Sequence, residues 1–179
     1  MLGNSALILF SLTLAAAAFD ARAEGRQPPL TVVPSVDLAR YAGKWYEIAR
    51  LPNRFQRDCS GDVTATYTLR PDGKILVLNE CRTAEGRGKS ARGTARLVGG
   101  GEPNTKLKVT FFWPFSGNYW IIDLDPDYRW AAVGEPDRRY FWILSRNPEI
   151  DEETYRAILD RAAAKGFDIS RVIRTQHAR

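Results

Sequence analysis

The segment Gly43-Lys44-Trp45-Tyr46 constrains the fold of this chain more than any other feature, and it opens a strand-like run that ends at Leu51. A glycine at 43 lets the chain turn into the strand where a Cβ would clash. The indole of Trp45 is large enough to fill the narrow end of a small barrel while its N–H finds a partner. Alone, however, a tryptophan beside a glycine is usually part of an ordinary core.

Two further features follow along the chain. Asp127-Tyr128 stands between two aromatic-rich segments, and Arg146 directly follows the strand-like run 140–145. Together with the segment at Gly43 and Trp45, they resemble the three motifs of the lipocalin family in the same order. The resemblance is to the bacterial outer-membrane branch, which is also similar to apolipoprotein D and to the plant temperature-induced lipocalins. Four segments carry it: 45–50, 63–67, 112–115 and 142–146.

This resemblance extends over about residues 36–176 and implies the fold. It implies an all-β protein, an eight-stranded antiparallel up-and-down β-barrel, with one α-helix near the carboxyl terminus. The length agrees, because 179 residues suit one domain with a substantial core. In the family, the arginine packs over the tryptophan at the barrel floor, which is a cation–π contact. The resemblance therefore implies a structural role for five residues: Gly43, Trp45, Asp127, Tyr128 and Arg146.

Residues 1–23 are predicted to be a signal peptide, and residues 24–179 a single mature domain. The apolar stretch from Ala6 to Ala18 is too short to span a bilayer, and Ala21-Arg22-Ala23 matches the pattern that precedes a cleavage site. An uncleaved membrane anchor is the alternative.

The predicted localisation rests on cysteine placement. Many bacterial members of the family are lipoproteins, anchored through an acylated cysteine just after the signal peptide. This chain has no cysteine before Cys59. We therefore predict an exported protein of the periplasm without a lipid anchor, with at most peripheral contact with the outer membrane.

The formal net charge is +5, and part of this excess is local. Between Arg82 and Arg96, five basic residues face only Glu85: Arg82, Arg87, Lys89, Arg92 and Arg96. The segment contains glycines and no interleaved aromatic residues, which argues against nucleic-acid binding. We predict a solvated loop here, with weak attraction to anionic lipid headgroups as the functional alternative.

Cys59 and Cys81 lie on either side of a predicted hairpin. Two alternating segments are joined by Arg70-Pro71-Asp72-Gly73, which has the chemistry of a turn. Antiparallel pairing across this turn brings Cys81 close to Cys59, so we predict a disulfide bond. The alternative is a catalytic thiol inside the barrel.

Alternation along the predicted strands identifies the residues that face the interior. Seven of them are predicted to contact a ligand: Ala49, Tyr67, Val77, Phe111, Tyr119, Tyr140 and Trp142. Three charged or amide side chains are also predicted to point inward: Glu47, Asn79 and Asp123. Small residues among aromatic ones would leave an elongated apolar cavity suited to an acyl chain. The alternative is that the aromatic side chains fill the barrel.

Two surface features complete the prediction. A helix from about Glu152 to Lys165, capped by Asp151, carries an apolar stripe that suits packing against the outside of the barrel. Phe112-Trp113-Pro114-Phe115 is predicted to form an exposed loop at the mouth, where it would contact a membrane or a second copy of the chain.

The resemblance implies a protein that stores or transports a fatty acid or lysophospholipid for maintenance of the cell envelope. No enzymatic activity, metal or cofactor is predicted, because His177 is the sole histidine and lies near the terminus. Two alternatives remain: an isomerase that uses Cys59, and an inhibitor or interaction module that works through its loops.

Overall fold

The computed structural model describes residues 27–99 and 103–178. The predicted signal peptide lies outside these residues. Within these residues there are two α-helices and nine strands: α1 (Leu38–Tyr41), β1 (Gly43–Arg50), β2 (Gly61–Leu69), β3 (Ile75–Arg82), β4 (Gly88–Leu97), β5 (Lys106–Phe112), β6 (Phe115–Leu124), β7 (Trp130–Gly134), β8 (Phe141–Ser145), α2 (Glu152–Ala164) and β9 (Ile173–Arg174). Short 3₁₀ helices span Arg54–Gln56 and Ile169–Arg171.

The first eight strands form a closed antiparallel barrel, which confirms the predicted fold class. Each strand from β2 to β7 pairs with the next, β8 pairs with β1, and β1 pairs with β2. Strand β1 pairs with β2 only through its first half, from Gly43 to Tyr46. Beyond it, β9 pairs with β1, and the Asp62 N–H donates to the Gln176 carbonyl. The carboxy-terminal segment therefore completes the wall near the open end.

The floor of the barrel is built around Trp45, which is fully buried. Gly43 has a φ of 93°, a conformation that favours glycine, and it turns the chain into β1. The Trp45 Nε1–H donates to the Tyr41 carbonyl at 2.8 Å, and the guanidinium of Arg146 lies 3.8 Å from the indole centroid. Arg146 also donates to the Lys44 carbonyl at 2.8 Å. The contact that the resemblance implied is therefore present.

Asp127 and Tyr128 lie in the turn between β6 and β7, at the same closed end. The Tyr128 hydroxyl accepts a hydrogen bond from the Asp37 N–H at 2.8 Å, which ties this turn to the start of α1. The buried carboxylate that organises the turn is Asp125, which accepts from the Asp127 N–H and from the side chain of Arg129. Hydrogen bonding to Arg129 holds the pKa of Asp125 below its usual value. Sequence analysis missed Asp125.

Helix α2 packs on the outside of the barrel, as predicted. The Asp151 carboxylate accepts from the Thr154 N–H at 2.8 Å and caps its start. Tyr155 and Ile158 of its apolar stripe are buried in a cluster that includes Ile143 of β8.

The disulfide between Cys59 and Cys81 is confirmed. The pairing of β2 with β3 shifts between Gly61 and Thr64, and this bulge brings the start of β2 toward Cys81. Both cysteines of the chain are used, so Cys59 offers no free thiol.

The prediction of a solvated loop at the basic segment is wrong, because most of it is strand β4. Small residues face the interior: Ala91 and Gly93 pair with Asn79 and Val77 of β3. A Cβ at Gly93 would lie 2.8 Å from the ring of Phe111, so the small residue makes room for an inward aromatic side chain. Arg92 and Arg96 alternate with these residues and point outward.

Two predictions of inward-facing residues are wrong because each strand contains a β-bulge. The pairing of β1 with β8 shifts between Glu47 and Ala49, so Ala49 lies in the cluster beneath α2. The pairing of β6 with β7 shifts between Ile121 and Asp123. Asp123 consequently points outward and forms a 2.5 Å ion pair with Arg161 of α2. One extra residue reverses the alternation beyond it.

Candidate functional site

The interior of the barrel has a filled lower half and an open upper half. Buried apolar residues fill the floor: Trp45, Val77, Ala95, Leu107, Ile121, Ala131, Val133 and Leu144. Above them, inward-facing residues keep part of their surface accessible: Ala65, Asn79, Ala91, Phe111, Tyr119 and Trp142. A side chain that points into a barrel and is still accessible lines an open space. The upper half is therefore a cup, hereafter the calyx, that opens at the end opposite the floor.

Six of the seven predicted ligand-contacting residues line this interior. Tyr67 and Val77 are buried at its base, and Tyr119, Phe111 and Trp142 pack against the same cluster. Tyr140 lies at the mouth, where its ring stacks on Trp142 with centroids 6.0 Å apart. Ala49 lies outside the barrel. The contact of these residues with a ligand stays a prediction.

Three tyrosine hydroxyls meet at the base of the calyx. The Tyr119 hydroxyl lies 2.7 Å from that of Tyr41 and 2.8 Å from that of Tyr67. Burial raises the pKa of all three phenols well above the usual value, and the negative charge of Glu47 adds to the rise at Tyr67. All three are therefore neutral at physiological pH. Tyr41 was missed because it lies in α1, before the first strand.

Glu47 is a buried carboxylate on the inner face of β1, as its alternation predicted. Its Oε1 accepts from Arg50 at 2.7 Å and from the Thr175 hydroxyl, and its Oε2 accepts from Gln56 at 2.5 Å. The bulge in β1 places Arg50 opposite Trp142 of β8 and so explains why residues 47 and 50 meet. A hydrogen-bonded ion pair is the state in which a buried charge is tolerated.

Gln56 brings the loop between β1 and β2 over one side of the mouth. Its side-chain carbonyl accepts from the Trp142 Nε1–H at 2.9 Å and from the Asn53 amide at 2.7 Å. In the same loop, Phe55 lies 5.4 Å from Tyr140 between ring centroids. Sequence analysis missed Gln56 and Thr175 because they lie outside the alternating strands, and it missed Arg50 because the bulge in β1 changes the face on which Arg50 lies.

Exposed aromatic side chains surround the mouth. Phe112, Trp113 and Phe115 in the β5–β6 hairpin are 78%, 88% and 78% exposed, and Phe55 is 58% exposed. We call these four residues the aromatic rim. Glu135, in the neighbouring loop after β7, has its pKa raised to about 7 by burial and by the charge of Asp137.

The sole histidine of the chain and its acidic side chains are candidate reactive groups. His177 lies outside the barrel, with Nε2 2.8 Å from the Glu47 carbonyl and its ring against Tyr46. In residues 27–99 and 103–178, no cluster of three or more histidine, cysteine or acidic side chains is placed to hold a metal ion. No helix within the same residues has the length and apolar character needed to cross a bilayer.

Comparisons with known proteins agree with this architecture. The model of the lipocalin-like domain family matches residues 36–177. The outer membrane lipoprotein Blc of Escherichia coli is 45% identical over 152 residues, covering 83% of this chain and 85% of its own. The temperature-induced lipocalin-1 of Arabidopsis thaliana is 42% identical over 153 residues, covering 82% of each chain. The solved structure of insecticyanin from the tobacco hornworm Manduca sexta aligns with a TM-score of 0.69 at 22% identity, covering 86% of this chain and 87% of its own.

These relatives correct one prediction. The expected localisation, a periplasmic protein without a lipid anchor, is wrong, because relatives at 41% and 45% identity are named outer membrane lipoproteins. The prediction rested on the missing cysteine before Cys59. Such an absence concerns one means of attachment and does not by itself assign a compartment.

Proposed function

This chain belongs to the lipocalin family, and from that premise we propose that it stores or transports a fatty acid or a lysophospholipid in the calyx, in the service of cell-envelope maintenance. The observation that carries the proposal is the accessible inner surface of the upper barrel. Phe111, Trp142 and Ala91 face inward there and remain partly exposed. Each methylene moved from water onto such a surface gains about 0.8 kcal/mol, so an acyl chain is a suitable occupant.

The polar groups near the mouth support an amphiphile. Glu47 and Arg50 are paired, and Gln56 and Thr175 complete the cluster. A headgroup can remain at this level, in reach of water, while the chain points toward the floor.

The aromatic rim beside the opening suits contact with a lipid surface. The guanidinium of Arg54 lies 5.2 Å from the centroid of the Phe55 ring, so a positive charge accompanies the rim. We propose that the rim rests on a membrane while lipid enters or leaves, as the names of the outer membrane relatives suggest.

The alternatives have less support. An isomerase that uses Cys59 would need a thiol, whereas Cys59 is bonded to Cys81. An inhibitor that works through its loops would also use exposed side chains at the mouth, but the accessible interior would then have no role.

The test begins with the purified protein. Native mass spectrometry would identify co-purified lipid, and titration with octadecanoic acid and with a lysophosphatidylcholine would measure affinity. We expect Trp142→Asp to weaken both ligands at least tenfold, because it replaces an apolar wall with a charge close to Glu47. The Trp120→Phe variant on the outer face is the control, since Trp120 packs with the cluster beneath α2. A folded Trp142→Asp protein with unchanged affinity would remove Trp142 from the site. A wild-type protein that binds neither lipid would refute the proposal.

A further inference from the structure

Arg50 places a guanidinium on the inner face of the open half of the barrel. The bulge in β1 leaves Ala49 outside, so Arg50 points inward, and it pairs directly with Trp142 of the calyx wall. Its ion-pair partner Glu47 is bonded to Gln56, which lies over the mouth. The residue is only 8% exposed. The guanidinium therefore lies above the filled floor, beside the opening of the calyx.

One edge of this guanidinium has no partner among the described residues. An arginine has five N–H donors in a rigid, planar fork. Nη1 donates to the Glu47 carboxylate at 2.7 Å and to the Thr175 hydroxyl at 3.1 Å. In residues 27–99 and 103–178, Nε is buried without a hydrogen-bond partner, and Nη2, which is not fully buried, has none either. Nε–H and one N–H of Nη2 point in parallel, and we call this pair the free edge of Arg50.

The polar side chains that meet Arg50 are already engaged as acceptors. The Glu47 carboxylate accepts from Thr175 and Gln56 as well as from the guanidinium. The Gln56 carbonyl accepts from the Trp142 Nε1–H. A buried donor that lacks an acceptor is costly, and folded proteins rarely keep one. A ligand that enters the calyx and brings an acceptor would remove this cost.

Two anionic oxygens fit the free edge better than a neutral group does. The oxygens of a carboxylate or a phosphate match two parallel N–H groups, and hydrogen bonds between charged groups are stronger than neutral ones. An ester or hydroxyl oxygen accepts at one point and carries no charge. Glu47 opposes the attraction, because its negative charge already balances that of Arg50. The free edge should therefore give a preference for anionic headgroups, and Glu47 should limit it.

We propose that the free edge of Arg50 is a subsite for an anionic headgroup, a carboxylate or a phosphate. Through it the protein selects negatively charged single-chain amphiphiles over neutral ones of the same chain length, and Glu47 sets the strength of the preference. This inference rests on the proposed function, because the acyl chain must occupy the calyx. It adds a headgroup class and the residue that recognises it, neither of which the binding of an acyl chain requires.

Two pairs of ligands test the preference in the wild-type protein. Octadecanoic acid is compared with its methyl ester, and a lysophosphatidic acid with the monoacylglycerol of the same acyl chain. Competition against a fluorescent acyl probe at about pH 8, where the free acids are ionised, gives the affinities. We expect each anionic ligand to bind at least tenfold more tightly than its neutral partner, because hydrogen bonds to charged groups are the strong ones. A preference in one pair only would support the subsite and assign it to that headgroup. Equal affinities within both pairs, or tighter binding of the neutral ligands, would overturn the inference.

Variants separate the guanidinium from the cluster around it. Replacing Arg50 alone would leave the Glu47 charge buried and uncompensated, so Glu47→Gln/Arg50→Gln is used, and it should lower the anionic preference to less than about threefold. Glu47→Gln alone removes the opposing charge and should raise the preference about threefold or more. Arg57→Gln, at an exposed position of the loop after β1, removes one positive charge near the mouth and is the control that should leave the preference unchanged.

The variants can contradict the inference in two ways. A preference that persists in the double variant, or that falls equally in Glu47→Gln alone, would assign Arg50 to structure. A preference that does not rise in Glu47→Gln would overturn the role given to Glu47. If the double variant does not fold, Arg50→Lys replaces it: an ammonium keeps the charge beside Glu47 but has no parallel N–H pair, so the preference should fall about threefold. No fall would again overturn the subsite.

The outcomes separate the two proposals. A wild-type protein that binds all four ligands without distinguishing charge would refute the subsite and leave the lipid-binding function intact. A wild-type protein that binds none of the four would refute both.

Discussion

At the scale of single residues, Arg146 joins more of the barrel floor than any other described side chain. Its guanidinium stacks on Trp45 and donates to the carbonyls of Arg40 and Ala42 at 2.7 and 3.0 Å. Burial lowers its pKa, but an arginine stays charged throughout the physiological range. The planar guanidinium suits this site because it can stack and donate in several directions at once.

We therefore expect Arg146→Lys to destabilise the fold. An ammonium keeps the charge but cannot both stack on Trp45 and reach several carbonyls, so about 2 kcal/mol of unfolding free energy should be lost. Urea denaturation would measure the change. Arg156→Lys, on the exposed side of α2, is the control and should change stability by less than about 0.5 kcal/mol. A loss at position 146 no larger than in the control would show that the stacked arginine contributes little.

Residue by residue, the sequence predicted the floor better than the polar lining of the calyx. Trp45 was identified from its motif with Gly43, and Glu47 was placed by alternation from Trp45 within the same strand. Thr175 contacts Glu47 across 128 positions of the chain, and Gln56 reaches it from a loop. Neither contact leaves a periodic signal, so only the folded structure brings these side chains together.

At the scale of the elements, the two bulges account for the inverted predictions. Strict alternation assumes that each residue faces one partner, and an inserted residue breaks that assumption. Ile48 and Ile122, at the two shifts in pairing, are both buried in the cluster beneath α2. Each bulge thus turns an additional apolar side chain toward the helix.

Strand β4 was missed for a different reason. Its inward residues are small, and its outward residues from Ser90 to Arg96 are polar or basic, so hydrophobic alternation is weak. The alternation exists nonetheless, because Ala91, Gly93 and Ala95 occupy every second position. A search for alternating small residues between hairpin turns would have found it.

The disulfide joins the loop after β1 to the end of β3, and its removal should destabilise this side of the barrel. Cys59 and Cys81 are 22 positions apart, and closing a loop of that size is worth about 3 kcal/mol by the entropy model. Urea denaturation of Cys59→Ser/Cys81→Ser should show a loss of this order. The wild-type protein under reducing conditions is the matched comparison. Because no thiol takes part in the proposed function, binding of octadecanoic acid should persist at temperatures where the variant is folded. Loss of binding by a folded variant would contradict this assignment.

At the scale of the whole molecule, the two ends of the barrel have different surfaces. The closed end is sealed by Trp45, Arg146 and the turn at Tyr128. The open end carries the aromatic rim and the loop fixed by Gln56. The exposed apolar side chains lie at the end where a lipid would enter under the proposed function. A contact of the rim with a bilayer would therefore also bring the calyx to its ligand.

This difference between the two ends of the barrel predicts that the open end binds membranes. Trp113→Ser/Phe115→Ser should reduce co-sedimentation with phosphatidylethanolamine–phosphatidylglycerol vesicles at least tenfold, because each buried aromatic side chain contributes about 1.5–3 kcal/mol. Val98→Ser is the control, since Val98 is 47% exposed but lies in the turn between β4 and β5 at the closed end. Affinity for octadecanoic acid in solution should be the same in both variants. Sedimentation velocity distinguishes the other use of the rim: if the double variant dissociates a dimer and keeps its vesicle binding, the rim joins two copies of the chain and the membrane proposal is wrong.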